Sequence, residues 1–358
     1  MRSTPSSSDE SKTAMALLEV ENLSVVLPTA AGMVRAVDGV GFSLSAGELL
    51  GVVGESGSGK TLTMLAIMGL VPYPARVVAD RLTFKDHDLL PLSARARRAL
   101  AGSSIAMIFQ EPTASLNPCF TIGFQLVEGL RVHQRLGRKA ARKRAVGLLE
   151  QVGIPSPEDR MRAYPHQLSG GMNQRVMIAM AIACDPEILI ADEPTTALDV
   201  TVQAQILELL LGLQRQRGMG LILVTHNMDV VAQTAQRVLV MYGGQIVEER
   251  GAAALFQAPQ HPYAAALLAA RPTAERDARL LTIPGTPPGL HDRTPGCLFA
   301  PRCADATERA RAVRPELRDF MGGRVRCHYP LGDGNREARI AADGGVATDA
   351  DIGARGEP

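Results

Sequence analysis

Residues 54–61 of this chain read Gly54-Glu55-Ser56-Gly57-Ser58-Gly59-Lys60-Thr61, and this stretch decides the fold. It fits the pattern G-x-x-x-x-G-K-[ST], whose backbone N–H groups surround phosphates. The apolar run Leu49 to Val53 predicts a buried strand before it, and Leu62 to Met68 predicts a helix after it. A strand, a glycine loop and a helix N-terminus in this order build an anion site. We therefore predict a nucleotide-phosphate site in which Lys60 reaches the β- and γ-phosphates and Thr61 ligates Mg²⁺.

The composition excludes several classes of function. The 358 residues leave room for two domains, and 38 basic against 37 acidic residues produce no overall field that would attract nucleic acid or acidic lipid. Tryptophan is absent, which argues against a platform for stacking bases. Five cysteines without a secretion signal indicate a reducing cytosol. No apolar run approaches the ~20 residues that span a bilayer, so any membrane role must come through partners.

Short apolar runs alternate with helical patterns along most of the chain. Further buried strands are predicted at Ile105–Phe109, Glu187–Ala191 and Leu221–Thr225, and a hairpin around Gly243-Gly244. Helical patterns cover Glu128–Val152, with a basic face that we expect to be solvated, Ser169–Ala183 and Gln203–Gln216. Repeated strand–helix units predict a mainly parallel sheet with helices on both faces.

Composition also predicts where the regions of the chain begin and end. Residues 1–14 are Ser-rich and charged, Met15 is an alternative start, and a shift towards Pro, Ala and Arg marks a separate C-terminal region. The expected regions are a disordered tail over 1–14, a nucleotide-binding domain over 15–255 with a helical subdomain at about 111–168, a C-terminal region over 256–330 and a second disordered tail over 331–358.

Polar side chains follow three of the predicted strands. Asp192 and Glu193 end one strand, Gln110 follows another and His226 a third, and all are expected at one edge of the sheet beside the P-loop. Asp192 is expected to hold Mg²⁺ through water, and Glu193 to act as general base, a role worth ~10²–10⁴ in rate. Gln110 is placed to reach metal and water, and His226 to contact the γ-phosphate. Taken alone, the acidic pair is equally typical of a helix N-cap, and a lone histidine is more often structural.

A second phosphate-binding pattern occurs at Ser169-Gly170-Gly171, at the predicted start of a helix. One nucleotide needs one phosphate cradle, so this pattern is best explained as serving the nucleotide of a partner chain. Together with the Gln110 loop, Asp192-Glu193, Ala197-Leu198-Asp199 and His226, it resembles the motif order of the ATPases of ABC transporters. The resemblance spans roughly residues 17 to 251.

The resemblance implies an α/β fold of the P-loop NTPase type. Its parts are a mainly parallel sheet core, an antiparallel β subdomain, a helical subdomain and a small C-terminal extension. It further implies that two such domains close head-to-tail around ATP, that Asp199 bridges the two sites, and that the helical subdomain contacts membrane subunits near the Gln110 loop. Two residues depart from the family pattern: Met172 replaces the commonest Gln, and Leu27 replaces the aromatic residue that stacks on adenine.

Further motifs narrow the resemblance to the oligopeptide/dipeptide/nickel importer ATPases, in particular to their dipeptide-permease subunits. These motifs are Ser115–Cys119, Tyr164–Met172, His261-Pro262-Tyr263, Ile283-Pro284-Gly285 and Gly296-Cys297. The resemblance implies an ATPase that powers peptide import at the cytoplasmic face of the bacterial cell membrane. Its implied partners are a sibling ATPase, two permeases and an external solute-binding protein, with no nucleic acid.

The C-terminal cysteines leave two interpretations open. Cys297, Cys303 and Cys327 resemble part of a four-cysteine set suited to an iron–sulfur cluster, but Ala310 occupies the place of one family cysteine. A cluster would need a fourth ligand such as His328, and we favour three reduced thiols packed in a small domain.

Other functions are kept as alternatives. The alternative within transport is an importer ATPase whose solute is nickel or another small molecule instead of a peptide. Outside transport, the chain is a soluble ABC ATPase of DNA repair or translation, against which the single P-loop and balanced charge argue, or a module that does not hydrolyse ATP, against which Glu193 and His226 argue.

Overall fold

The computed structural model describes residues 16–30, 32–111, 115–196, 198–271 and 282–344. The strands in these ranges are β1 Ala16–Thr29, β2 Gly32–Ser45, β3 Leu49–Val53, β4 Arg76–Val78, β5 Arg81–Phe84, β6 His87–Asp88, β7 Ile105–Ile108, β8 Ile188–Asp192, β9 Gly220–Val224, β10 Arg237–Tyr242, β11 Gln245–Gly251, β12 Arg318–Phe320 and β13 Gly323–Val325. The helices are α1 Lys60–Met68, α2 Ala94–Leu100, α3 Ile122–Gln134, α4 Arg138–Gln151, α5 Pro157–Arg160, α6 Gly170–Ala181, α7 Val200–Arg217, α8 Met228–Thr234, α9 Ala252–Gln257, α10 Pro262–Ala269, α11 Glu308–Ala312 and α12 Arg336–Ala342, with 3₁₀ turns at Pro165–Gln167 and Ala300–Arg302. Among these helices, none has the length and apolar character that crossing a membrane requires.

The central sheet has eight strands in the order β12-β13-β11-β10-β3-β9-β8-β7. The five strands from β10 to β7 run parallel, and β3, β8 and β9 are buried along their whole length. Continuous burial explains why these strands read as apolar runs without alternation. The predicted α/β fold with a mainly parallel core is confirmed. Because parallel strands point the same way, the loops that follow β3, β7, β8 and β9 all leave the sheet at one edge.

A second sheet is antiparallel, with strand order β2-β1-β5-β6 and β4 paired to β1. Its inner face shares a hydrophobic cluster with the P-loop helix α1, to which Leu18, Phe42 and Met64 contribute. This sheet is the expected antiparallel β subdomain, and it fixes α1 from the side opposite the central sheet.

The prediction of one continuous helical segment over Glu128–Val152 is wrong in one respect. The structure has two helices there, α3 and α4. Arg135 adopts a left-handed conformation with φ of 54° at the end of α3, and Gly137 then caps the start of α4. Apolar side chains on both sides of this break pack into one cluster, which favours two short helices that fold together. The basic face of α4 is exposed, as expected.

The C-terminal region packs closely on the nucleotide-binding domain. The β12–β13 hairpin continues the central sheet through the pairing of β13 with β11. Tyr263, Leu298 and Phe299 also pack in one cluster with Val53 and Tyr242 of the nucleotide-binding domain. The composition changes at this point, but the sheet and the core run across it.

The second tail begins later than the predicted residue 331. Helix α12 buries Ile340 against Ala310 and Tyr329, and Arg336 pairs with Asp305. These contacts to distant residues order a stretch whose composition alone predicts disorder. The expected tail over 1–14 and the end of the second tail lie outside the described residues.

Candidate functional site

The P-loop connects the carboxyl end of β3 to the start of α1. Gly54 has a φ of 152°, and a Cβ there would lie 2.2 Å from the carbonyl oxygen of Met241, so only glycine fits. Gly59, in a left-handed conformation, caps α1 without any side-chain hydrogen bond. The N–H groups of the first helical turn are therefore left for an anion, and the helix dipole adds partial positive charge.

Lys60 lies inside this loop and is only 5% exposed. Its Nζ donates to the carbonyl oxygens of Gly54 at 2.8 Å and Glu55 at 2.9 Å, and to Ser58 Oγ at 3.3 Å. Burial lowers the pKa of Lys60, while nearby carboxylates, Glu193 foremost, oppose the shift. The ammonium group is thus held where a phosphate would complete its surroundings.

Asp192 ends β8 beside the P-loop and is 1% exposed. Burial raises its pKa, and a side-chain hydrogen bond from Thr61 acts in the opposite direction. Its Oδ1 has no hydrogen-bond partner, which is costly for a buried carboxylate. A hydroxyl next to an unpartnered carboxylate oxygen fits Mg²⁺, a cation that takes one or two protein ligands and completes its shell with water and phosphate oxygens.

Magnesium at this site would need water and phosphate oxygens to complete its ligands. In the part of the chain that the structure describes, no three His, Cys, Asp or Glu side chains are grouped closely enough to hold a metal.

Glu193 is the centre of a hydrogen-bonded cluster at the same sheet edge. Its Oε2 accepts from Gln110 Nε2 at 3.0 Å and from Thr196 Oγ1 at 2.9 Å, and its Oε1 lies 3.4 Å from His226 Nδ1. Glu193 adopts a left-handed φ of 46°, and its N–H donates to Val224 at 2.8 Å. Such strain in a non-glycine residue is typical of functional sites, because it aims a side chain out of the strand.

The structure therefore brings Gln110, Glu193 and His226 together, as predicted. Thr196 was missed by the sequence reasoning. The signal available was its position three residues after Glu193, where a hydroxyl can return to the carboxylate through a turn.

The second predicted phosphate-binding pattern, Ser169-Gly170-Gly171, lies at the start of α6. Ser169 caps this helix by accepting from the N–H of Met172 at 3.3 Å. A Cβ at Gly171 would lie 3.0 Å from Val202 Cγ1, and one at Gly170 would lie 3.8 Å from Leu198 Cδ2. Asp199, which is exposed, caps α7 in turn through the N–H of Val202 at 3.0 Å. Ser169, Gly170, Gly171 and Asp199 thus form one surface, whereas Ala197 lies outside the described residues.

The C-terminal cysteines do not fit an iron–sulfur cluster. Cys297, Cys303 and Cys327 line one cavity of about 20 Å³, space for roughly one water molecule. Burial raises the pKa of the Cys303 thiol to about 11 and that of Cys327 to about 12. Ala310 lines the same cavity.

His328 lines the same cavity as the three cysteines. Its Nε2 lies 2.8 Å from the carbonyl oxygen of Val313, which leaves Nδ1 as the ring nitrogen without that contact.

Comparison with known proteins gives two family matches. Residues 37–196 match the family described as "ABC transporter", and residues 247–309 match "Oligopeptide/dipeptide transporter, C-terminal region". The second match begins inside β11, where the C-terminal region joins the central sheet.

Curated relatives cover both regions. The chain is 55% identical to the dipeptide transport ATP-binding protein DppD of Escherichia coli (strain K12) over 324 residues, which are 90% of this chain and 99% of that protein. It is 51% identical to the protein of the same name from Bacillus subtilis (strain 168), over 80% of this chain and 86% of that one.

Solved structures share the fold. CbiO1 from Clostridium perfringens, part of the ABC transporter complex cbiONQ, has a TM-score of 0.58 and 27% identity over 68% of this chain and 91% of its own. The dimeric ATP-binding cassette MJ0796 in a post-hydrolysis state with ADP and Pi has a TM-score of 0.56 and 27% identity, over 66% of this chain and 98% of its own. With these relatives and both family matches, the chain belongs to the ABC transporter ATP-binding proteins of the oligopeptide/dipeptide family.

Proposed function

We propose that this chain binds and hydrolyses ATP to power the import of dipeptides or oligopeptides. The observation that carries the hydrolytic part is the Glu193 cluster next to an open P-loop and an unpartnered Asp192 oxygen. The peptide substrate is supported by the relatives named for dipeptide transport, which align along nearly their whole length.

Each residue of the site has a chemical task in this proposal. The P-loop N–H groups and Lys60 bind the β- and γ-phosphates of ATP, and Thr61 and Asp192 hold Mg²⁺ directly or through water. Magnesium supplies charge that neutralises the phosphates as the bond breaks. Glu193 accepts the proton of the attacking water, and Gln110 and Thr196 fix its carboxylate by their hydrogen bonds. His226, 65% exposed in its side chain and 3.4 Å from Glu193 Oε1, contacts the γ-phosphate in this proposal.

The site requires a second ATPase chain in this account. Ser169, Gly170 and Gly171 present a helix N-terminus at a surface, together with Asp199 and the 82%-exposed Val200. A head-to-tail pair would place this surface of one chain against the γ-phosphate held by the other. The dimer of the MJ0796 cassette supports such pairing.

The permease contact is assigned to the groove between α3 and α4. This groove, of about 870 Å³, has an apolar floor that includes Phe124 and Val127 and a basic rim that includes Arg131 and Arg138. Phe120 stacks on Phe124 with ring centroids 4.6 Å apart, and both are more than 40% exposed. Exposed aromatic residues beside arginines are typical of protein interfaces, and the segment leads directly from the Gln110 loop. The permeases would hold the chain at the cytoplasmic face of the membrane, and an external binding protein would deliver the peptide.

The cofactor is Mg²⁺ with ATP, without an iron–sulfur cluster. The small cavity and Ala310 support three reduced cysteines in the C-terminal region. Iron and sulfide analysis of protein purified without oxygen tests this, and one full four-iron cluster per chain would contradict it.

The function is tested by uptake of a labelled dipeptide in cells whose only copy of this subunit carries Lys60→Met. Uptake should be abolished, while a Lys85→Met variant, which breaks the exposed pair with Glu187, should transport normally. Unchanged dipeptide uptake in the Lys60 variant would reject the proposal. If that variant instead lost nickel uptake, nickel would be the transported solute.

A further inference from the structure

Arg302 of the C-terminal region reaches across the molecule to the P-loop. Its Nη1 donates to Glu55 Oε2 at 2.7 Å and its Nη2 donates to Glu55 Oε1 at 3.0 Å, a two-pronged ion pair. The Arg302 side chain is 4% exposed and that of Glu55 is 27% exposed. Paired N–H donors on a carboxylate form the strongest and most directional kind of side-chain hydrogen bond.

Every N–H donor of the Arg302 guanidinium is used. Besides the two bonds to Glu55, Nη1 donates to Tyr242 Oη at 3.3 Å, Nε to the carbonyl oxygen of Pro284 at 2.8 Å and Nη2 to that of Ile283 at 3.2 Å. A guanidinium has five N–H groups, so none remains free. A full set of partners fixes the position of the side chain and thus of the carboxylate that it holds.

Tyr263 anchors the same P-loop residue from a second side. Its hydroxyl accepts the backbone N–H of Glu55 at 2.9 Å, and its ring is fully buried against Tyr242 and Phe299. The carbonyl oxygen of Glu55 accepts from Lys60 Nζ at 2.9 Å. The residue is therefore fixed at its N–H and its carboxylate by the C-terminal region, and its carbonyl faces the phosphate-binding lysine.

We propose that the C-terminal region braces the P-loop, with Arg302 as a positioning residue that sets the nucleotide affinity of this chain. The proposal rests on the ATP-binding function proposed above and goes beyond it, because it gives the C-terminal region a task in the reaction. Arg302 acts through Glu55 and does not touch the nucleotide.

Electrostatics gives the direction of the effect. ATP brings several negative charges to the P-loop, and Glu55 adds one more within the loop itself. Arg302 neutralises that charge and fixes the position of the carboxylate. Without the guanidinium, the carboxylate would be unpaired, partly buried and close to the phosphates, and the loop would lose its external anchor.

The test is a double-mutant cycle on the full-length chain, with affinity for a fluorescent Mg-ATP analogue as the readout. Arg302→Met should weaken binding about tenfold or more, and the Arg302→Met/Glu55→Gln double variant should return to within about threefold of the original value. Glu55→Gln alone, which breaks the fork from the other side and leaves the buried guanidinium unpaired, should also weaken binding, but less than Arg302→Met does. Arg302→Lys, which keeps the charge and loses the fork, should fall between the original chain and Arg302→Met.

Arg336→Met is the matched control. Arg336 forms a buried ion pair with Asp305 in the same region, 10% exposed in its side chain, and its partners lie outside the P-loop. Its loss should leave nucleotide affinity within about twofold, even if it lowers the melting temperature of the region.

Three results would overturn the inference: unchanged affinity in Arg302→Met, a double variant as weak as the single one, or an Arg336→Met variant as weak as Arg302→Met. If Arg302→Met does not fold, Arg302→Lys decides, and affinity equal to the original chain then rejects the brace. Failure of the unaltered chain to bind the analogue would instead reject the proposed ATP-binding function, and the inference with it.

Discussion

Two helix N-termini in this chain begin at the glycine-containing motifs that we propose bind phosphate, and they are equipped differently. Helix α1 begins at the P-loop with no side-chain cap, and a buried lysine and two carboxylates surround it. Helix α6 begins at Gly170 with Ser169 as its cap, and it offers a hydroxyl and backbone N–H groups. The first carries groups that can bind a metal, accept a proton and attract charge, whereas the second carries a hydroxyl, backbone N–H groups and a helix dipole, with the exposed Asp199 beside it.

The difference explains why a single chain is an incomplete catalyst in this account. We propose that the P-loop half, meaning residues 54–61 with Asp192 and Glu193, binds the nucleotide by itself and is braced by the C-terminal region through Arg302 and Tyr263. The start of α6 with Ser169, Gly170 and Gly171, here called the signature half, packs on the start of α7. We propose that it meets only a nucleotide held by another chain. Substitutions in the first half should therefore change binding or chemistry within one chain, and substitutions in the second should change only the paired state.

The largest expected effect comes from Glu193→Gln in the P-loop half. The amide keeps the shape of the carboxylate but cannot accept the proton, so ATP hydrolysis in the assembled transporter should fall by at least ~100-fold while ATP still binds. The matched control is Glu187→Gln, at the opposite end of strand β8 and paired with Lys85. Near-normal hydrolysis in Glu193→Gln would remove the general base from the account.

A smaller effect is expected from acid, through the brace of the P-loop half. His261 caps α10, the helix that carries Tyr263, by accepting from the N–H of Tyr263 at 3.0 Å. Burial lowers the pKa of His261 to about 3 from its ordinary 6.5. The stability contributed by the neutral ring is therefore full above pH 6.5 and is lost as the pH falls from 6.5 towards 3.

At pH 5 the expected loss is about 2 kcal/mol, from 1.36 kcal/mol for each pKa unit. Hydrogen exchange of the α10 amides, corrected for intrinsic rates, should show this loss in the original chain but not in His261→Asn, which keeps a capping acceptor. Glu248 shifts in the opposite direction, with a pKa raised to about 6 by burial, and it is present in both proteins. If the original chain and His261→Asn lose hydrogen-exchange protection of α10 equally at low pH, His261 is not the acid-sensitive group. If α6 loses as much protection as α10, the effect is not specific to the P-loop half.

The sequence predicts what local patterns encode. The buried strands that precede Asp192 and His226 are apolar runs in the sequence. The two phosphate motifs lie at helix starts, as their glycine and serine residues predict. Because the fold places parallel strand ends at one edge, residues that follow those strands meet, and the Glu193 cluster was predictable for that reason.

The missed features depend on contacts between distant residues. Arg302 and Tyr263 lie 247 and 208 positions from Glu55, and neither belongs to a local pattern that points to the P-loop. The same reason explains α12, whose Ile340 is buried by Ala310 and Tyr329 from elsewhere in the chain. Which arginine of a basic region pairs with which carboxylate is decided by packing, and composition does not reveal it.

The central claim, that the signature half serves the nucleotide of another chain, is tested most directly with Gly170→Asp. A Cβ at this position meets only Leu198 Cδ2 at an ordinary 3.8 Å, so the aspartate fits the isolated chain better than one at Gly171 would. The measurement pairs ATP affinity of the isolated chain with ATP hydrolysis by the assembled transporter, using Gly170→Ala as control. We predict affinity within about twofold of the original and hydrolysis reduced by ~100-fold or more, because a carboxylate would face the partner's γ-phosphate in a dry site. Affinity lost together with hydrolysis, or hydrolysis retained, would contradict the account.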